Sequence, residues 1–400
     1  MPSIKPEVEA FARIKVIGVG GSGSNTVNHM IHAKVQGVDF IAINTDAQDL
    51  HHNLASKKIH IGKNLTRGLG AGMNPDLGRQ AAEETIEEIK DALKGTDMAF
   101  IVCGLGGGTG TGGAPVIAEA ARSQGALTVA VITRPFTFEG AQRSRIADEG
   151  LQRLKQSVDA SVVIPNDRLL SVIEKSTTFK DAFAVCDDVV RQAVQGISDL
   201  ITMPGIVNVD FADVKAIMQG AGSALMGIGK GSGETRATDA AKQAINSPLL
   251  DVAIDGAHGV LFCIHGGPDM SMWEVQEAAR VITESIDKEA KVIFGAVEDA
   301  RLKKGEIKVT VIASGFPSDL KIGIFAGLAE KAGEKKKPDQ IMVNRAPIMP
   351  RPVVQPESLA AMERTPSPIP SSRADEFRMD FRPRAEMRRD ISHLTLRCPL

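Results

Sequence analysis

The chain lacks most of the features that announce a function class. No run reaches the ~18 apolar residues needed to cross a bilayer. The first residues, Met-Pro-Ser-Ile-Lys-Pro-Glu, carry no apolar signal segment, so a cytoplasmic protein with no direct membrane insertion is expected. Neither sign of charge is in excess: 47 Lys and Arg face 49 Asp and Glu, a formal net charge of -2, which argues against nucleic acid as a partner. Cys103, Cys186, Cys263 and Cys398 form no C-x-x-C pair, which excludes zinc-ribbon spacing and a disulfide framework. His29, His32, His51, His52 and His60 share no ligand spacing with carboxylates or cysteines, so no metal site is expected. There is no G-x-x-x-x-G-K-[ST] and hence no P-loop, and neither internal repeats nor heptads occur.

What is present is glycine in one place. Gly104-Leu-Gly-Gly-Gly-Thr-Gly-Thr-Gly-Gly113 follows the apolar run from Met98 to Cys103 and precedes Ala114-Pro115-Val116. It reads as a loop between a buried strand and a helix with proline in its first turn. Glycines turn successive N–H groups toward one concave surface, and the helix N-terminus adds unpaired donors, so the loop suits phosphate. Thr109 and Thr111 can add hydroxyls. A bare flexible linker of this composition is seldom wedged between a strand and a helix.

The first half alternates β-rich runs, at 14–19, 40–43, 98–103, 127–132 and 161–164, with helical patterns. This predicts a doubly wound parallel sheet binding its ligand at the strand C-terminal ends, over residues 12–178 after a flexible N-terminus, 1–11. A long helix is expected over 179–203, with Phe183, Cys186, Val190, Ala193 and Ile197 at helical spacing. A second, smaller α/β domain over 204–318 takes its strands from 260–264, 291–295 and 307–313. Half of the twenty prolines lie between Pro338 and Pro399, which predicts a largely disordered linker over 319–385 and a tail peptide over 386–400.

Two further segments bear on chemistry. Gly18-Val-Gly20-Gly-Ser-Gly23 satisfies G-x-G-x-x-G, and Asp46 lies near the distance expected of a ribose-binding acid; alone this pattern suits a dinucleotide-dependent oxidoreductase. A second glycine loop at the same sheet edge suits a triphosphate better. Asn208-Val-Asp210-Phe-Ala-Asp213 opens a helix. Asp213 there reads as an N-cap and Asp210 as a turn residue, or the pair as the carboxylates that orient water for phosphoanhydride hydrolysis. The opposing class is a scaffold that holds nucleotide without turning it over.

In combination these residues resemble the tubulin/FtsZ family. Gly104 to Gly113 is similar to its Gly-Gly-Gly-Thr-Gly-[Ser/Thr]-Gly signature, and Asn208 to Asp213 to its Asn-Leu-Asp-Phe-Ala-Asp loop. Asn44-Thr-Asp46, Gly68-Leu-Gly-Ala-Gly-Met-Asn-Pro75, Thr133-Arg-Pro-Phe136 with Glu139, Gly140 and Arg143, and Asn166-Asp-Arg-Leu169 follow its other nucleotide loops in order. The resemblance covers roughly residues 12 to 318. It implies a GTPase that binds GTP and GDP, with Mg2+ held mainly through the phosphates, and that polymerises head to tail with itself in the cytokinetic ring at mid-cell.

By the same resemblance, Gly21, Gly23 and Asn25 hold phosphate from one side and Gly107, Gly108, Thr109 and Gly110 from the other, with Gly20, Ser22, Ser24, Gly106, Thr111 and Gly112 also binding the nucleotide. Asn44, Asp46, Gly70, Ala71, Gly72, Thr133 and Pro135 line the nucleotide. Glu139 and Arg143 meet ribose and phosphates, and Asn166, Phe183 and Asp187 take the guanine. Asn208, Asp210 and Asp213 are implied to catalyse in the next subunit's site. Positions 183 and 187 share a helix face, whereas Asp188 is turned away. Two departures stand out: Ser22 and Ser24 replace the family's usual Gly or Asn, with strain at any position needing φ > 0, and Asp390-Ile-Ser-His-Leu-Thr-Leu-Arg397 only echoes the tail motif that docks division proteins and membrane adaptors.

Overall fold

A computed structural model describes residues 12–316 apart from 171–172, 174–175, 204, 208, 248–253, 255 and 300. The expected N-terminal segment, linker and tail peptide, together with Asn208, lie outside the described residues. Within them the chain runs β1 (Ile14–Val19), α1 (Gly20–His32), β2 (Asp39–Asn44), α2 (Ala47–His52), β3 (Lys57–His60), α3 (Lys63–Thr66), α4 (Pro75–Glu84), α5 (Ile86–Leu93), β4 (Met98–Gly104), α6 (Thr109–Ser123) and β5 (Leu127–Arg134). It continues through α7 (Ala141–Ser157), β6 (Ala160–Pro165), α8 (Asn166–Leu169), α9 (Phe179–Thr202), α10 (Phe211–Met218), β7 (Gly222–Ser232), α11 (Arg236–Ile245), β8 (Gly259–Gly266), α12 (Met272–Thr283), β9 (Lys291–Glu298) and β10 (Glu306–Ser314). Among the described residues no helix is long and apolar enough to cross a membrane.

All ten strands form one sheet, in the order β3-β2-β1-β4-β5-β6-β7-β10-β8-β9. The first six are parallel, in the doubly wound order whose switch point lies between β1 and β4, where the loops after adjacent strands diverge and leave a crevice. The glycine loops follow these two strands. β7 joins β6 through only three pairs, Ala160 to Val162 against Gly222 to Ala224. β10 then runs antiparallel to β7 and β8, and β8 runs parallel to β9. The second half is therefore mixed and continues the first half's sheet.

Burial explains the helices. Cys186, Val190, Ala193 and Ile197 of α9 are buried with Val16, Phe100 and Val129 of one sheet face and with Leu261 and Cys263 of the second half, so one helix closes both halves from the same side. The opposite face of the first half is covered by α4, α5, α6 and α7. On the second half's outer face, α11 supplies Ala237, Ala240, Ala241 and Ala244. Those alanines let it approach so closely that a Cβ at Gly229 or Gly231 of β7 would overlap its backbone.

Candidate nucleotide site

A cleft of about 240 Å³ opens at the C-terminal edge of β1, β4, β5 and β6. Gly20, Gly21 and Ser22 in the first turn of α1, and Gly107, Gly108, Thr109 and Gly110 where β4 leads into α6, line it, with Thr133, Pro135, Glu139, Arg143, Asn166 and Phe183 on its walls. The two loops touch. A Cβ at Gly104 would lie 2.6 Å from Ser22 Oγ, and one at Gly20 would lie 2.9 Å from Gly110 N. Glycine lets the backbones approach, and Gly20 also has φ +72°. A Cβ at Gly107 would meet nothing within 4 Å, so its missing side chain leaves cleft volume rather than packing space.

Further contacts brace these segments. Thr45 and Thr109 hydroxyls lie 2.6 Å apart. The Thr111 hydroxyl accepts from Gly106 N–H at 2.9 Å and is buried, so it faces its own loop; Gly106 has φ +96° and lies against the Arg143 stem. A Cβ at Gly112 would overlap the Pro75 carbonyl oxygen, which places that glycine in the α4–α6 contact. Gly23 likewise lets α1 pack against Val102 and Gly18. Ala71 approaches Gly108, with its carbonyl oxygen 2.9 Å from a Cβ built there. Gly70 and Gly72 adopt φ of +81° and +51° in the same loop. Asn25 is exposed on α1.

Ser22 and Ser24 both lie inside α1, and neither has positive φ, so the strain expected of them does not arise. Ser24 is fully buried, away from the cleft lining. Asn44 is buried and donates through Nδ2 to Asp49 Oδ2 at 2.6 Å, while its Oδ1 accepts from Asp46 N–H. Asp46 caps α2 by accepting from Gln48 and Asp49 N–H. Asp49, which carries no motif in the sequence, also belongs here: its carboxylate is the neighbour of Gly21, 4.0 Å from a Cβ there, and burial raises its pKa.

Among the residues expected to take the base, Asn166 Oδ1 is buried with no hydrogen-bond partner among the described residues. Asp187 accepts from the Thr26 hydroxyl at 2.6 Å, and that hydroxyl also reaches the Ser22 carbonyl at 3.0 Å. Burial pushes the Asp187 carboxyl above its ordinary range, against the pull of Thr26 and His29. Asp188 instead pairs with Arg191 and Gln192. Glu139 accepts from Phe136 N–H at 2.9 Å and pairs with Arg143 at 2.8 Å. Cys103, behind the second loop, is fully buried, and that burial pushes its thiol up to about 12; it is inert as a nucleophile.

The acidic loop lies elsewhere. Asp210 caps α10, accepting from Ala212 N–H at 3.3 Å, so it and not Asp213 holds the capping role. Asp213 is exposed in the first turn. Neither lines the cleft. The far end of α10, at Lys215 and Gln219, shares a hollow with Leu127 and Asp159 at the starts of β5 and β6, at the sheet edge opposite the glycine loops. From Phe183 to the end of α9 is 19 residues, about 29 Å of helix.

Comparison with known proteins agrees with the fold. Residues 13–174 match the Tubulin/FtsZ family GTPase domain, and residues 222–317 match the FtsZ family C-terminal domain. FtsZ from M. jannaschii, solved as an empty dimer, is 49% identical with a TM-score of 0.74, covering 77% of this chain and 89% of that one. A tryptophan-to-tyrosine mutant of the same M. jannaschii protein is similar at 49% identity and TM-score 0.74, covering 76% and 92%. CetZ2 from Haloferax volcanii, solved as a GTPγS-bound protofilament, shares the fold at 23% identity and TM-score 0.67, covering 80% and 98%.

Proposed function

The chain belongs to the FtsZ family of tubulin-like GTPases, and on that premise we propose that it binds GTP in the cleft between its glycine loops, hydrolyses it, and assembles head to tail into filaments of a division ring. The observation that carries this reading is the cleft itself, whose floor is main chain and whose base end holds an unpartnered amide oxygen. Main-chain N–H groups of both loops, at the starts of α1 and α6, neutralise phosphate charge, and Arg143 adds a cation. Mg2+ fits as a counter-ion held through the phosphates themselves. Phe183 covers one side of the purine and Asn166 Oδ1 accepts from it. When the Thr26 hydroxyl turns to the Ser22 carbonyl, Asp187 becomes free to accept from guanine N1–H and the 2-amino group, donors that adenine lacks.

Hydrolysis requires a positioned water. Asp210 and Asp213, with Asn208, are the candidates, and the placement of the two carboxylates away from the cleft supports catalysis across a subunit contact. The tail segment Asp390 to Arg397, outside the described residues, is the proposed docking peptide for division proteins and membrane adaptors. Two inactive variants test the core of this reading. Asp210→Ala keeps a sound cleft, and Gly108→Asp keeps a sound acidic loop while setting a carboxylate against the phosphates. Their mixture should release phosphate from GTP where neither alone does. An inert mixture in which mixed filaments nevertheless form, together with a turnover per molecule that stays flat as wild-type concentration rises, would place catalysis within one subunit.

A further inference from the structure

Four phenylalanine rings meet at the cleft mouth in a closed circuit. Phe136 and Phe138 stack with centroids 4.9 Å apart, Phe138 and Phe179 lie 6.1 Å apart, Phe179 and Phe183 4.9 Å, and Phe183 returns to Phe136 edge-on at 5.3 Å. Phe136 is 1% exposed and anchors the group, whereas Phe138 and Phe179 are 61% and 68% exposed. In a chain with fourteen Phe, one Trp and no Tyr, this is a concentrated use of aromatic surface. Only Phe183 of the four lines the cleft.

Phe179, Phe183 and Asp187 are spaced four apart on one face of α9, so the row that ends on Asp187 begins on Phe179. The circuit fastens this row to the segment between β5 and α7, which carries Pro135 and Glu139. Asp167, next to Asn166, secures the same segment by accepting from Thr137 N–H at 2.9 Å and from its hydroxyl. Pro135, Glu139, Asn166 and Phe183 are thereby held as one wall. Rings as exposed as Phe138 and Phe179 contribute little to the buried core. What they contribute is direction, because aromatic pairs prefer defined edge and offset geometries.

We propose that Phe179 is a positioning residue for purine recognition, clamping the Phe183 ring from the solvent side at the angle at which it meets the base. The inference rests on the nucleotide reading above. GDP binding, measured at protein concentrations too low for assembly, tests it. Phe179→Ala should weaken GDP binding about 3- to 10-fold, the scale of one aromatic pair, with the unfolding midpoint of the empty protein unchanged. Phe179→Tyr should restore binding. Phe179→Ala combined with Phe183→Ala should lose no more than Phe183→Ala alone, since Phe179 acts only through that ring.

Losses that multiply in the double variant would overturn the proposal, as would a Phe179→Ala protein that binds GDP normally but needs more protein to assemble. The latter result would assign the ring to a subunit contact. A wild-type protein that does not bind GDP at all would defeat the nucleotide reading itself, which keeps the two failures apart.

Discussion

Thr111 offers the sharpest test of how the second glycine loop works. The sequence offers its hydroxyl to phosphate, whereas the structure gives it to Gly106 N–H at 2.9 Å, in a buried setting. Thr111→Val keeps the shape, including the methyl group beside Gly150, and removes only the acceptor. A buried N–H left without a partner costs about 1–3 kcal/mol. If the loop keeps its conformation, the empty protein loses that amount, a fall of roughly 2–4 °C in melting temperature per kcal/mol for domains of about 150–250 residues. If Gly106 instead swings out to find water, the empty protein escapes the loss and nucleotide must restore the loop. The same 1–3 kcal/mol then weakens GDP binding by about 5- to 150-fold. Either way the complex is less stable than wild type by the same total. Melting with saturating GDP, GDP titration, and hydrogen exchange at the Gly106 amide read the partition. A variant that keeps slow exchange at Gly106 and an unchanged melting temperature, yet binds GDP poorly, would show that the hydroxyl serves the ligand and not the loop.

Further outcomes follow from neighbouring geometry. Gly107→Ala should fold normally, since its Cβ meets nothing, but bind nucleotide weakly, while Gly112→Ala should be lost to unfolding because its Cβ strikes Pro75; thermal melting beside GDP titration separates them. Asp187→Asn should raise the melting temperature of the empty protein at pH 7. The folded state holds the Asp187 carboxyl above its ordinary pKa, so the ionised group opposes folding above that raised value, and the gain should fade as pH falls toward ~3.9. The same variant should lose its preference for GDP over ADP. Asp210→Ala and Asp213→Ala should both abolish hydrolysis, but only the first removes the α10 cap and costs about 1 kcal/mol of stability in denaturant titration.

The parallel half of the sheet was legible because each of its long strands is a short apolar run closed by a turn residue. β3 and β7 were not. Lys57-Lys-Ile-His60 is a four-residue edge strand with two lysines, too short and too polar for an apolar pattern. Gly222 to Ser232 hides its strand behind glycines, of which Gly229 and Gly231 serve the approach of α11, a reason that resides in a different segment. The site divides the same way. Its glycine loops are local in sequence and stood out; the direction of each side chain is tertiary and did not. Phe183 shares its spacing with the buried stripe of α9 yet stands at the cleft, and Thr111 turns inward although Thr109, two residues earlier, lines the cleft. Asp49 carried no signal, because its meaning lies in the distance to Gly21.

The proposed ligand floor of main chain has a consequence for how this protein can vary. A side-chain ligand can be exchanged for one slightly longer, weaker or less charged, so affinity can be adjusted by degrees. On the proposed reading the ligand meets the backbone N–H groups of Gly107 and Gly108, where there is no smaller alternative to glycine, and any replacement adds bulk to the cleft or drives a Cβ within 3 Å of the Ala71 loop. Such positions offer only coarse steps. Gradual tuning of nucleotide hold has to come from the side-chain contacts that set the pitch of the loops, the Thr45–Thr109 pair and the Asn44–Asp49 hydrogen bond. In variants selected for faster or slower nucleotide exchange, changes should accumulate at those four positions while the glycines stay fixed.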